Sequence, residues 1–140
     1  MKISHEKPKN WEKLVELFGA NWGSTVVTYG ETVHCSRPLT LDLEAHEGVH
    51  VEQQTAYPGG PDAWWERYYS DLEFRLTQET EAYQVQYDYM RKHSSDRNLL
   101  FKLRDKLARD MSSKLYGNCI SYEAAFCTIS QKQKKQAVAA

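Results

Sequence analysis

The sequence predicts an α+β fold, mostly helical, with a small sheet near the N-terminus. Three observations predict it. One stretch, Ser24 to Cys35, is rich in β-branched residues, whereas apolar side chains elsewhere recur at helical spacing. Capping residues and Gly/Pro breaks fall at the ends of those helical runs. At 140 residues the chain has ordinary single-domain length. It reads as one domain over 1–130, followed by a basic, low-complexity tail at 131–140 that is expected to be disordered.

The elements follow in order. Trp11, Leu14, Val15 and Phe18 form one apolar face of a short helix, with Asn10 as its cap and Gly19 as its stop. Ser24–Tyr29 and Thr32–Cys35 read as two strands of a hairpin turning at Gly30-Glu31, and Ser36-Arg37-Pro38 ends the sheet. A helix is predicted from Leu39 to about Gln54, capped by Thr40 or Asp42 and ended by Pro58-Gly59-Gly60-Pro61. Asp62 is placed to cap a helix over Ala63–Ser70, and a long helix follows over Asp71–Lys92. Leu99, Leu103, Leu107 and Met111 mark a further helix, Asp96–Leu115, broken at Gly117-Asn118. Ser121 caps a last helix reaching Ile129.

Composition excludes several classes. With 18 Lys+Arg against 19 Asp+Glu the net charge is −1, without the basic excess of a nucleic-acid binder. No run approaches the roughly 18 apolar residues of a membrane span. The N-terminal stretch lacks the apolar segment of a signal peptide. Cys35, Cys119 and Cys127 are an odd count without CxxC spacing and read as free thiols of a reducing compartment, which predicts a cytoplasmic protein.

The chemistry concentrates at His46-Glu47-Gly48-Val49-His50. On a helix, residues i and i+4 share a face, so His46 and His50 can direct two imidazoles at one metal ion. Glu47 sits about 100° around the axis from His46 and can reach the open side of the ion as a general base. Gly48 costs about 1 kcal/mol relative to Ala inside a helix, and close approach of another backbone or of substrate would be a reason to keep it.

A catalytic zinc needs a third protein ligand. His5, His34 and His93 are candidates, as are downstream carboxylates. On the long helix, Glu79 falls within roughly 60° of Leu72, Leu76 and Tyr83, so it points into the core. Glu81 lies about 160° from Glu79 on the same wheel and is the alternative only if the register shifts. A carboxylate on an apolar stripe must be paired or ligate a metal. The bland alternative for Glu79 is a buried salt bridge to Arg75 or Arg104. Tyr83, one turn after Glu79, is a candidate partner for a ligand or for the transition-state oxyanion, although a core tyrosine is the commoner case. Gln54, one turn after His50, is a candidate to support a ligand. Trp64, Trp65, Tyr68 and Tyr69 form an aromatic cluster expected to cover the motif helix, or else to form a substrate subsite.

With His46, Glu47, His50 and the later Glu79 in place, the chain resembles the gluzincins, zincins of the HExxH-plus-Glu type. His46-Glu-Gly-Val-His50-Val-Glu-Gln-Gln54 and Glu79-Thr-Glu-Ala-Tyr83 more closely resemble small metallopeptidase domains of bacteria and tailed phages. The likeness covers roughly Thr25 to Met90. It implies a minimal zincin-like fold with the hairpin packed beside the HExxH helix, one Zn²⁺ per chain, and hydrolysis of a peptide or protein substrate. It also implies that the strand before the motif helix pairs with an extended substrate. Tyr83 stands where many gluzincins carry an acidic residue, and no His or Tyr in a matching motif supplies an electrophile.

That gap motivates a rival reading, a non-catalytic zinc-stabilised interaction or phage virion-assembly module. A third reading, a carboxylate-bridged di-iron bundle, needs two Glu-x-x-His helices. Glu47-Gly-Val-His50 supplies one, but Glu31-Thr-Val-His34 falls in the predicted hairpin.

Overall fold

A computed structural model of the chain describes residues 1–131. In chain order these form β1 (Lys2–Ser4), α1 (Trp11–Phe18), β2 (Val27–Tyr29), β3 (Thr32–His34), α2 (Leu41–Ala56), α3 (Gly60–Ser70), α4 (Leu72–His93), α5 (Arg97–Met111) and α6 (Tyr122–Ile129). A single 3-10 turn, Lys114–Tyr116, joins α5 to α6. The fold is α+β and mostly helical, with the strands ahead of the long helices. The tail expected at 131–140 lies, beyond Gln131, outside the described residues.

The sheet is larger than a hairpin. β2 and β3 pair antiparallel as expected, turning through Gly30, whose φ of +62° suits glycine. β1 adds a third strand, parallel to β3, with Ile3 opposite Val33, giving the order β1-β3-β2. β1 was not anticipated, because three mostly exposed residues at a sheet edge carry no alternation to detect.

Helix ends follow local chemistry, with three corrections. Asn10 occupies the N-cap position of α1 but does not cap; its Nδ2 donates to the Tyr69 hydroxyl at 2.9 Å. α3 begins at Gly60 rather than Ala63, because Gly59 takes a left-handed conformation (φ +90°) and Pro61 enters the first turn. Asp62 is therefore inside the helix, where it pairs with Lys9 and accepts from the Tyr29 hydroxyl. α5 stops at Met111, and the chain from Lys114 tightens into the 3-10 turn before Gly117. Asp71, Asp96 and Ser121 cap α4, α5 and α6 through their side-chain oxygens.

Two apolar clusters form the interior. Leu14, Phe18, Val27, Trp64, Trp65, Tyr68 and Phe74 make the first; Tyr83, Tyr87, Leu107, Ala108, Met111, Ala125 and Ile129 make the second. Leu72 and Leu99, placed on core stripes by spacing, are 48% and 47% exposed. Each lies in the first turn of its helix, and the buried face begins later. Arg75, 6% exposed, lies over the Phe18 and Tyr68 rings of the first cluster and donates to the carbonyls of Tyr68, Tyr69 and Tyr116. Tyr116 packs against both clusters.

Candidate metal centre

α2 and α4 pack against each other and bring three ligand-type side chains to one point. His46 and His50 project from the same face of α2 and are 3% and 6% exposed; Glu79 comes from α4 at 4%. The Glu79 Oε2 atom lies 3.6 Å from His46 Nε2 and 3.4 Å from His50 Nε2. All three ligand atoms fall within 4.8 Å of one another. Those two contacts are longer than a good N–H···O bond. They fit neighbouring ligands about 2.1 Å from a shared tetrahedral ion, which stand roughly 3.4 Å apart. Glu79 Oε2 is also a buried oxygen with no hydrogen-bond partner, a costly arrangement that a cation would relieve. The three residues can together hold a metal ion.

Two glutamines fix the imidazoles. Gln86 Nε2 donates to the Asp42 carboxylate at 2.8 Å, so its Oε1 must be the atom 3.0 Å from His46 Nδ1. Gln53 Nε2 donates to the Gln78 carbonyl at 3.1 Å and faces the Glu81 carboxylate, so its Oε1 meets His50 Nδ1 at 2.8 Å. An amide oxygen accepts only, which puts the proton of each ring on Nδ1. In the neutral tautomer both Nε2 lone pairs are then left for an ion, the outer arrangement that orients metal-binding histidines. The second Glu79 oxygen accepts from the Tyr68 hydroxyl at 2.8 Å.

Electrostatics follow from burial and this convergence. Desolvation lowers the His50 pKa, but the Glu79 carboxylate, aided by Glu47 and Gln53, outweighs it and raises it to about 9. Desolvation raises that of Glu79, yet attraction to His50 and His46 prevails and holds the carboxyl far below the ordinary carboxylate range. Burial, with Glu79 close by, lifts the Tyr68 and Tyr83 hydroxyls well above their ordinary range, so both stay protonated.

Glu47, 4% exposed, accepts at Oε2 from the Thr28 hydroxyl of β2 at 2.6 Å. Tyr83 packs edge-on against His46, ring centres 4.5 Å apart, and its hydroxyl pairs with that of Tyr116 rather than with Glu79. The hydrogen bonds of the Gln54 side chain go to the hairpin and not to a ligand residue. It is fully buried, donates to the Thr28 carbonyl and accepts from the Gly30 N–H, clamping the hairpin onto α2. The supporting glutamines are instead Gln53 and Gln86. Gln86 could have been suspected from its place two turns after Glu79 on the same face, but a glutamine reads as neutral in any periodicity.

Glu81 is half-buried and outside the ligand group. Neither arginine pairs with Glu79: Arg75 serves carbonyls, and Arg104 donates to the Phe126 carbonyl. His5, His34 and His93 each bond a backbone carbonyl through Nδ1, away from the centre. A Cβ at Gly48 would meet nothing within 4 Å, so no close approach explains that glycine. The aromatic cluster does cover the motif helix: Trp64 lies edge-on to His50, ring centres 5.8 Å apart.

Two hollows reach the centre. A wide groove of about 570 Å³ is lined by His46, Glu47, Tyr83 and Tyr116 together with Thr25 and Val26. A narrower cavity of about 60 Å³ is bordered by all three ligand residues and by the first apolar cluster. No family model matches the chain, and neither a curated protein nor a solved structure matches it. Function is therefore read from the chemistry of the site itself.

Proposed function

We propose that this chain is a zinc-dependent peptidase of the gluzincin kind, with His46, His50 and Glu79 holding one Zn²⁺ and Glu47 as general base. The observation that carries the reading is the unpartnered, buried Glu79 Oε2 facing two Nε2 atoms whose Nδ1 positions are already committed. Two imidazoles and a carboxylate are a ligand set of catalytic zinc. When bound there, zinc would supply a Lewis acid that makes water ionisable near neutral pH and polarises a carbonyl.

The remaining roles belong to the chain. Thr28 holds one Glu47 oxygen, leaving the other to take a proton from the attacking water and pass it to the leaving amine. In this reading the groove lined by His46 and Glu47 is where the substrate backbone would lie. No helix among the described residues is long and apolar enough to cross a membrane. The test is metal analysis of the purified chain together with a broad quenched-peptide library, run on wild type and Glu47→Gln. One zinc per chain with cleavage lost in the variant supports the peptidase. Zinc without any cleavage favours the interaction or virion-assembly module, and two irons would revive the di-iron bundle.

A further inference from the structure

The two imidazoles are held by glutamines, but the glutamines are not held alike. The Gln53 amide is turned by the Gln78 backbone carbonyl, an acceptor that no side-chain substitution removes, with the Glu81 carboxylate beside it. Gln86 is 4% exposed, and its amide makes two hydrogen bonds, one with His46 Nδ1 and one to the Asp42 carboxylate. A side-chain amide accepts at one end and donates at the other, and turning it end for end barely changes its shape. Nothing in Gln86 itself selects one orientation; its far partner does.

That partner is Asp42, in the first turn of α2 and one turn before His46. Burial alone would raise the Asp42 pKa, but the Gln86 amide, the Thr40 hydroxyl and the backbone N–H groups of Asp42 and Leu43 prevail and lower it. An ionised carboxylate only accepts. Gln86 must therefore point Nε2 at Asp42 and Oε1 at His46, which puts the imidazole proton on Nδ1 and leaves Nε2 for an ion.

We infer that Asp42 is a positioning residue of the metal centre: its carboxylate, acting through Gln86, sets the tautomer of His46 and has no such hold on His50. This rests on the three ligand residues holding an ion and not on peptide cleavage.

The discriminating change is Asp42→Asn, which keeps the shape and adds a donor. The Thr40 hydroxyl and the two backbone N–H groups still need an acceptor, so the new amide keeps its oxygen for them and turns its nitrogen to Gln86. Gln86 then reverses and presents Nε2 to His46 Nδ1, and the imidazole proton moves to Nε2, where the ion belongs. Zinc titrated against a chelating indicator into the ion-free full chain should bind on the order of 10–100-fold more weakly. Asp42→Ala removes the acceptor without supplying a donor and should cost less than Asp42→Asn. That order is the signature, because a merely structural role would tolerate the isosteric Asn better than Ala. Gln86→Glu added to Asp42→Asn brings a carboxylate that accepts from the new amide and from His46 Nδ1 together, so the double variant should recover most of the loss.

Long-range proton–nitrogen spectra of the ion-free chain, at a pH where both rings are neutral, read the tautomers directly. The His46 proton should lie on Nδ1 in wild type and on Nε2 in Asp42→Asn, with His50 unchanged. Melting curves establish that each variant is folded; should Asp42→Asn unfold, a double variant that binds zinc no more tightly than Asp42→Ala overturns the assignment. Wild-type affinity in Asp42→Asn overturns it, as do tighter binding by Asp42→Asn than by Asp42→Ala and a double variant without recovery. The expected order without any peptide cleavage supports the assignment and sinks the peptidase, whereas cleavage with the order reversed does the opposite. A wild-type chain that takes up no zinc overturns both.

Discussion

His50 Nε2 and Glu79 Oε2 face each other across 3.4 Å in a buried site where the oxygen has no hydrogen-bond partner. Without an ion, His50 titrates at about 9 against an ordinary 6.5. The folded chain then binds more protons than the unfolded one between these values, so this stabilisation is complete below about 6.5 and is lost as pH rises through about 9. The depressed Glu79 carboxyl acts oppositely: its contribution is present above about 4.5 and fades as pH falls below that. The ion-free chain should therefore lose melting temperature from pH 6.5 to 9. Saturating zinc should reverse that trend, because the ion requires an unprotonated imidazole. Calorimetric melts with chelator and with zinc check this; identical slopes would contradict it.

Glu47→Gln should keep one zinc per chain and lower peptide cleavage by a factor on the order of 10²–10⁴, the usual worth of a general base. Metal analysis and initial rates on the same preparation decide it. Undiminished rates would remove Glu47 from the chemistry.

Gln86→Leu and Gln53→Leu each leave an imidazole Nδ1–H without its acceptor. Zinc affinity should fall roughly 10–100-fold in either variant, as for other lost supports of a metal ligand. Gln54→Ala should behave differently. It removes two bonds to the hairpin, one buried and one part-buried, and should cost about 2–4 kcal/mol of stability, with zinc affinity preserved in the folded protein. Competition titrations with a zinc indicator, set beside denaturant melts, separate the two patterns.

Gly48→Ala should raise stability by about 1 kcal/mol, since its backbone is helical and an added methyl meets nothing within 4 Å. Zinc binding should not change. A destabilised variant would mean that something approaches this glycine in the working protein.

Much of the site was legible because its signals are local. The two histidines share a helical face by spacing, and Glu79 stood out as a charge on an apolar stripe that had to be compensated. The supports were not legible. Gln53 and Gln54 are adjacent and chemically identical, and only the packing of α2 between α4 and the hairpin decides which one meets His50. Gln86 acts on His46 from forty residues away. In the fold, hairpin and helices followed from β-branching, caps and breakers, whereas β1 depends on a parallel pairing between distant residues. The start of α3 turned on the backbone freedom of Gly59, which outweighed the capping capacity of Asp62.

Arg75 gives the molecule a thermodynamic character as well as a shape. One guanidinium fastens the end of α3 to α4 through the Tyr68 and Tyr69 carbonyls and the turn after α5 through the Tyr116 carbonyl, so pulling either segment away from α4 breaks bonds to the same group. The clusters should consequently melt as one event, with calorimetric and van't Hoff enthalpies in agreement.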